Sequence, residues 1–325
     1  MLRKIALSLL FVFAAQAQAK SKVKFAIITP EGSTWTNHVN DMAKEIKSAT
    51  NNDVKFKVYA GGVSGDELDV LRKMKSNRMH AGAFSGVGLG VLVPEVRILE
   101  APMLFQNVEQ IDQAKEKLFK RFSDKFDKEG YVLLGFAEAG FVYLFSKQKI
   151  DTAAALKNIK MWVWKGDLVA ETFMREFGIP TTPLHLADVN TGLETGMIDS
   201  FYAPPLAAVA FQWTPKAQYM LDYPFANSTG AVIMTKKTFE KLKPAQQQQI
   251  RLIVKKYCDK IIADTRKENE EARKVIAASG IKFVKPSEQD IKTFKVSASN
   301  AYKASIPKIY PQDLFNQVAK MVESK

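Results

Sequence analysis

The chain has 325 residues, a formal net charge of +13 and a single cysteine, with 46% hydrophobic residues. That length can build two lobes with ordinary cores, and one thiol excludes an internal disulfide framework. The cationic surplus is spread over polar helix faces and interleaved with acids, as at Lys115, Lys117, Lys120 and Arg121. With no basic stripe carrying aromatic platforms, it reads as a solvated surface and not as a nucleic-acid footprint.

The first nineteen residues read as an export signal. Arg3 and Lys4 form a basic start, residues 5–15 an apolar run, and Ala17-Gln18-Ala19 a small-x-small cleavage site. The apolar run is shorter than the ~20 residues needed to cross a bilayer. A mature chain would begin at Lys20, lowering the charge by the two lost cations. No cysteine lies near the cleavage site, which argues against a lipid anchor.

Residues 23–28 read as a first strand, followed by a Pro-Glu-Gly-Ser turn. Apolar spacing at Val39, Met42, Ala43 and Ile46 predicts a helix, and "VKFKVYAGG" a second strand closed by a glycine turn. A helix over 67–79 and a short strand in "HAGAFSG" complete a β-α-β-α-β series, which predicts a parallel sheet covered by helices. "MLFQNVEQIDQAKEKLFKRFSDKF" continues as helix. Residues 131–146, long and apolar with two glycines, read as two strand segments and the first crossing between lobes. The second lobe is expected to hold a strand at Met161, helices over 168–177, 188–195 and 206–211, and then strands in "AQYMLDYPF" and "TGAVIMT" returning to the first. A helix from Pro244 to about Ala278, stopped by Gly280, would be about 50 Å long and would span both lobes. The charged run 266–271 breaks its apolar stripe and predicts a wet middle. Cys258 lies among apolar residues of this helix and reads as a small buried hydrophobe.

Catalytic patterns are absent. His38, His80 and His185 are scattered without metal-ligand spacing, and no Gly-x-Ser-x-Gly elbow occurs. "AGGVSGDEL" lacks the Lys-Ser/Thr of a phosphate loop and reads as a turn and helix cap. Glu138, in "GFAEAGF", is a candidate buried carboxylate or a hydrogen-bond acceptor in a ligand cleft, but it lacks the paired acid that catalysis would need. No cofactor or metal is expected. Aromatic residues are more telling. Trp162 and Trp164 alternate on one strand and are expected to face opposite sides, one in the core and one in a cleft. Phe201, Tyr202, Phe211 and Trp213 follow closely, while Trp35 and Phe84 lie near strand ends of the first lobe.

Residues 159–213, with "LETGMIDSFYAPP", the glycine turn Gly61-Gly62 to Gly65 and "PEVRILEAPMLF", resemble the binding proteins of tripartite ATP-independent periplasmic (TRAP) transporters. The resemblance covers nearly the whole mature chain. It implies an α/β fold of the periplasmic-binding-protein kind, with two lobes, a cleft between them and a long lobe-spanning helix. The expected lobes are 20–140 plus about 226–265, and about 141–225 plus 266–325. The implied location is the periplasm, and the implied partners are a small-molecule ligand and the membrane subunits of the importer.

The departures bear on the ligand. The family's clamp arginine corresponds to Trp162, a second arginine of some members falls at about Val142, and a common asparagine corresponds to Ala203. A buried carboxylate without charge-assisted partners costs several kcal/mol. The cleft is therefore expected to take an apolar or amphiphilic ligand, its polar group met by Glu138, Ser85 or Tyr202. The expected ligand-binding set is Trp162, Tyr202, Phe201, Ala203, Glu138, Val142, Phe84, Ser85, Trp35, Leu186 and Trp213. The sequence looks like a subgroup that lacks the arginine and works with a tetratricopeptide-repeat partner. The alternatives are an organic-acid receptor with Lys165 or Arg97 as a relocated clamp, a periplasmic enzyme on a two-lobe scaffold, and a sensor module.

Overall fold

The alternation of short apolar strands with amphipathic helices produces the expected opening series. In the computed structural model, which describes residues 21–323, it comprises β1 (Ser21–Ala26), α1 (Thr34–Ala49), β2 (Val54–Tyr59), α2 (Glu67–Lys75), β3 (Ala81–Ser85) and α3 (Gly86–Leu92). The signal segment over 1–19 lies outside the described residues. A short helical turn at Pro94–Glu100 leads to α4 (Val108–Lys128), whose apolar face, including Ile111, Leu118 and Phe122, is buried. The chain continues through β4 (Tyr131–Ser146), β5 (Met161–Trp164), α5 (Leu168–Phe177), β6 (Thr181–Leu184), α6 (Val189–Thr195), β7 (Ser200–Ala203) and α7 (Pro205–Ala210). It ends with β8 (Tyr219–Thr235), α8 (Lys236–Phe239), α9 (Pro244–Ala278), β9 (Lys282–Val284), α10 (Glu288–Ser305) and α11 (Gln312–Glu323).

Among the described residues the strands form one sheet in the order β2-β1-β3-β8-β4-β7-β5-β6, with β9 beside β8. β1–β3 are parallel to one another, as are β7, β5 and β6. β4 and β8 run antiparallel between these two halves and are each a single long strand, where the sequence suggested separate segments. Register shifts between Leu133 and Gly135, Glu138 and Gly140, and Val142 and Leu144 let β4 bend while its pairing with β8 continues. The result is a two-lobe α/β fold in which the strands themselves carry the chain from lobe to lobe.

α9 begins and ends where the sequence placed it. Its charged run 266–271 is wet on one side only. Thr265, Asn269 and Ala272 continue the buried stripe, Lys267, Glu270 and Glu271 between them are exposed, and Arg266 turns in towards Glu138. Asn269 donates to the Ala139 carbonyl on β4 at 2.8 Å and accepts from the Leu206 N–H at 2.9 Å, joining α9 to both strand and helix at the crossing. Cys258 is buried against β4, where a side chain at Gly135 would strike its sulfur, and burial pushes its thiol up to about 12. The C-terminal helices pack on different neighbours. α10 packs on α5, but Leu314 and Val318 of α11 join the core of α4 in the first lobe.

Of the two readings of Glu138, the buried carboxylate is the one the structure shows, and its place in the expected ligand-binding set is not. It is fully buried in β4, paired with Lys115 at 2.5 Å and with Arg266 Nε at 2.6 Å, and it does not reach the cleft. Burial alone would push its carboxyl up, but the two cations outweigh that and hold it below the usual range. Removing one member of a buried ion group strands the others at about 3–5 kcal/mol. Glu138→Ala is accordingly expected to lower unfolding stability by about 3 kcal/mol in urea denaturation, with ligand affinity of the folded protein unchanged. A loss of affinity without loss of stability would return Glu138 to the ligand site.

Candidate ligand cavity

A cavity of about 340 Å³ lies between the two halves of the sheet, where the carboxyl ends of β1, β3, β5 and β7 converge. Strand ends in open α/β sheets commonly host ligands, because loops diverge there and leave a crevice. The volume is at the lower end of the ~300–1,000 Å³ typical of small-molecule sites.

All four tryptophans of the chain line it: Trp35, Trp162, Trp164 and Trp213. Trp162 is only 2% exposed, a wall of the cavity as much as a core residue. Its ring stacks on Tyr202 at 5.2 Å, meets Trp213 edge-on at 5.1 Å and lies 6.4 Å from Trp164. The expectation that Trp162 and Trp164 face opposite sides is thus overturned. Residues two apart on a pleated strand share a face, and both rings reach the same cavity. Trp35 enters from the start of α1, and Gly230 on β8 is what makes room for it, since a Cβ there would collide with the indole.

Of the remaining expected residues, Tyr202, Ala203, Val142, Phe84, Ser85 and Leu186 also line the cavity. Phe201 and Glu138 do not. Phe201 is adjacent to Tyr202 on β7 and turns to the other side, stacking on Phe145 at 4.9 Å with no exposure. Sequence reasoning missed the contribution of Pro204, Ala207 and Phe211 around α7, and of Thr265 on α9. The i, i+2 spacing could have found Trp164. Nothing local marks Thr265, which reaches the cavity only because α9 crosses above β4.

The polar groups around the cavity are mostly committed. Glu67, from the first turn of α2, lines the cavity and accepts from the Ser85 N–H at 2.7 Å, the Ser85 hydroxyl at 2.8 Å and the Gly88 N–H at 2.9 Å. No cation is within ion-pair distance of it among the described residues, and burial raises its carboxyl to about 7. Tyr202 donates its hydroxyl to Asp167 at 2.6 Å. Asp167, the N-cap of α5, also receives Arg97 at 2.6 Å, and Arg97 in turn lies 2.7 Å from Glu100. Arg97 and Glu100 border a second, smaller cavity of about 90 Å³ that shares Ser85, Val142, Trp164, Tyr202 and Ser228 with the main one. Arg97 is therefore divided between two buried carboxylates, and Lys165 is exposed and does not line the cavity.

Bonds also cross the cleft. Asp66, the N-cap of α2 in the first lobe, accepts the Trp164 indole N–H and the Leu186 N–H of the second, each at 3.2 Å, with His185 Nδ1 3.5 Å away. Together with Arg97–Asp167 they tie the two halves of the fold to one another beside the cavity.

Residues 25–308 match the family described as bacterial extracellular solute-binding protein, family 7 (DctP). The chain belongs to this family. A solute-binding protein of Verminephrobacter eiseniae is 26% identical over 237 residues, 72% of this chain and 70% of that one. The ectoine/5-hydroxyectoine-binding periplasmic protein UehA of Ruegeria pomeroyi is 22% identical over 264 residues, 76% of each chain. In fold, the chain is similar to a TRAP periplasmic solute binding protein from Ralstonia eutropha H16 with bound (S)-2-acetolactate. The TM-score is 0.87 at 19% identity, covering 94% of this chain and 100% of the other. As a family 7 member the protein is a solute-binding receptor and not an enzyme.

Two outcomes follow for this receptor. Arg97→Met is expected to cost about 3 kcal/mol of stability in urea denaturation, because it strands Glu100 and Asp167. Unchanged stability with lost ligand affinity would instead mark Arg97 as a ligand clamp. Glu67 keeps its proton in the folded state up to about 7, whereas an ordinary carboxyl of pKa 4.5 has released it. Stability therefore falls as pH rises through that window, by on the order of 3 kcal/mol. Burial raises Glu100 similarly, to about 7, despite Arg97. In melting temperature measured against pH, Glu67→Gln is expected to remove about half of this slope, and an unaltered slope would show that Glu67 ionises freely.

Proposed function

We propose that this protein is the periplasmic receptor of a TRAP-type importer, that it is exported by cleavage after residue 19, and that it binds an apolar or amphiphilic small molecule by closing two lobes over it. The receptor role follows from the family; the ligand class rests on one observation. The cavity is walled by every tryptophan in the chain and contains no uncommitted cation among the described residues. The proteins it is similar to carry names or bound molecules of another kind, ectoine and acetolactate. For a carboxylate, this cavity offers Trp162 where the family's clamp arginine is expected, Val142 and Ala203 at two further polar positions, and an Arg97 already shared by two acids. Desolvating a carboxylate there would go uncompensated. Burying apolar ligand surface against indole would be favourable at about 25 cal/mol per Å².

Closure in this reading turns about the crossing strands β4 and β8 and the overlying α9. The lobes are those expected from the sequence, with α11 returned to the first. A tetratricopeptide-repeat partner belongs to the same reading, as the likeness to the arginine-less subgroup suggests. The second reading, an organic-acid receptor with a relocated clamp, has no free arginine or lysine in the cavity to favour it.

Mass spectrometry of small molecules released from the purified, denatured protein is the direct test. A co-purifying lipid-like or aromatic compound is expected, and recovery of a small carboxylic acid would overturn the ligand class. Trp162→Arg is expected to weaken that native ligand at least tenfold in fluorescence titration, by loss of stacking surface and burial of an unpaired guanidinium. An unchanged affinity would remove Trp162 from the site.

A further inference from the structure

The signs of the charges around the cavity discriminate against one class of polar group. Four carboxylates stand in or beside its walls: Asp66, Glu67, Glu100 and Asp167. Against them stand one permanently charged group, Arg97, and His185, which is partly exposed beside Asp66. Glu67 itself lines the cavity and is neutralised by no cation among the described residues.

Part of the donor set is spent on the protein's own acceptors. The Ser85 hydroxyl proton goes to Glu67, the Tyr202 proton to Asp167, the Trp164 indole proton to Asp66 and the Trp162 indole proton to the Leu184 carbonyl at 3.2 Å. An anion entering here would be repelled by these carboxylates, with no cation lining the cavity among the described residues to offset them. A cation would meet a wall rich in indole rings, which attract ammonium groups more strongly than any other side chain's ring. One further group points to a ligand. The Thr265 hydroxyl lines the cavity, is wholly buried and has no hydrogen-bond partner among the described residues. Buried polar atoms are almost always paired, so an orphan in a cavity wall marks a place where something else completes the bond.

We infer that the ligand's polar end is a cation: the cavity takes an organic ammonium compound with an apolar body, its charged nitrogen held among the tryptophan faces beside Glu67 and a hydrogen-bonding group meeting Thr265. This rests on the reading of the cavity as the ligand site, and it fixes the sign of charge which that reading left open. Because burial keeps the Glu67 carboxyl near 7, an arriving cation can draw it into its ionised form without any other group having to move.

The test uses the mature wild-type protein and three probes with one aromatic body and different heads: benzyltrimethylammonium, benzyl alcohol and phenylacetate. Since all four tryptophans line the cavity, intrinsic fluorescence reports occupancy directly. The expected result is that the ammonium probe binds at least about tenfold more tightly than the alcohol, with phenylacetate weakest. Glu67→Gln should shrink the ammonium-to-alcohol ratio several-fold. If that variant does not fold, the wild-type ratio alone decides. Equal or tighter binding of the alcohol would overturn the charge assignment and leave the apolar cavity standing. Tightest binding of phenylacetate would overturn both, and so would the failure of all three to alter tryptophan emission at millimolar concentration.

Discussion

The antiparallel pairing of β4 with β8 is the constraint on which the rest of the molecule depends. These two long strands are the only members of the described sheet that belong to both halves, and every other strand is added outwards from them. Their bulges bend the sheet where α9 crosses, and the bend leaves the strand ends of the two halves facing one another. A crevice at that place follows from the topology alone. Its lining then depends on which residues happen to occupy strand ends.

The second organising fact is electrostatic. Two buried charge groups sit on either side of the crossing, Glu138 with Lys115 and Arg266 on the α9 side, and Arg97 with Glu100 and Asp167 beside the cavity. Both are nearly self-contained, which is what burial demands of charge. Close packing makes this possible: a Cβ at Gly86 would overlap the Glu100 carboxylate, and one at Gly88 would lie against Glu67. The glycines of α3 are thus the counterpart of the buried acids they accommodate. Because Arg97 is consumed by structure, the cavity is left with aromatic surface and acidic neighbours.

Much of this was legible along the chain. The β-α-β-α-β opening, the extent of α9 and the burial of Cys258 follow from periodicity and capping, which are local. Nine of the eleven residues expected at the ligand site line one cavity, since strand ends and register could be aligned by family resemblance. The two exceptions have a common cause. Whether Glu138 faces a cleft or a pair of cations, and whether Phe201 or only Tyr202 reaches the cavity, depends on what the opposite side of the strand packs against. The reading of Trp162 and Trp164 failed for a simpler reason, since a spacing of two keeps both on one face.

The sequence by itself determined the elements, the two-lobe class and the replacement of the family's expected arginines and asparagine by Trp162, Val142 and Ala203, because propensity, spacing and residue identity are properties of short segments. Only the tertiary structure decided that four tryptophans distant in sequence share one cavity, that Arg97 is bound to Asp167 across the cleft, and that Thr265 stands unpaired in the wall. Each of these joins residues tens to hundreds of positions apart. Burial, charge balance and hydrogen-bond direction are set by such pairs, and no local pattern encodes which partners the crossing strands will bring together.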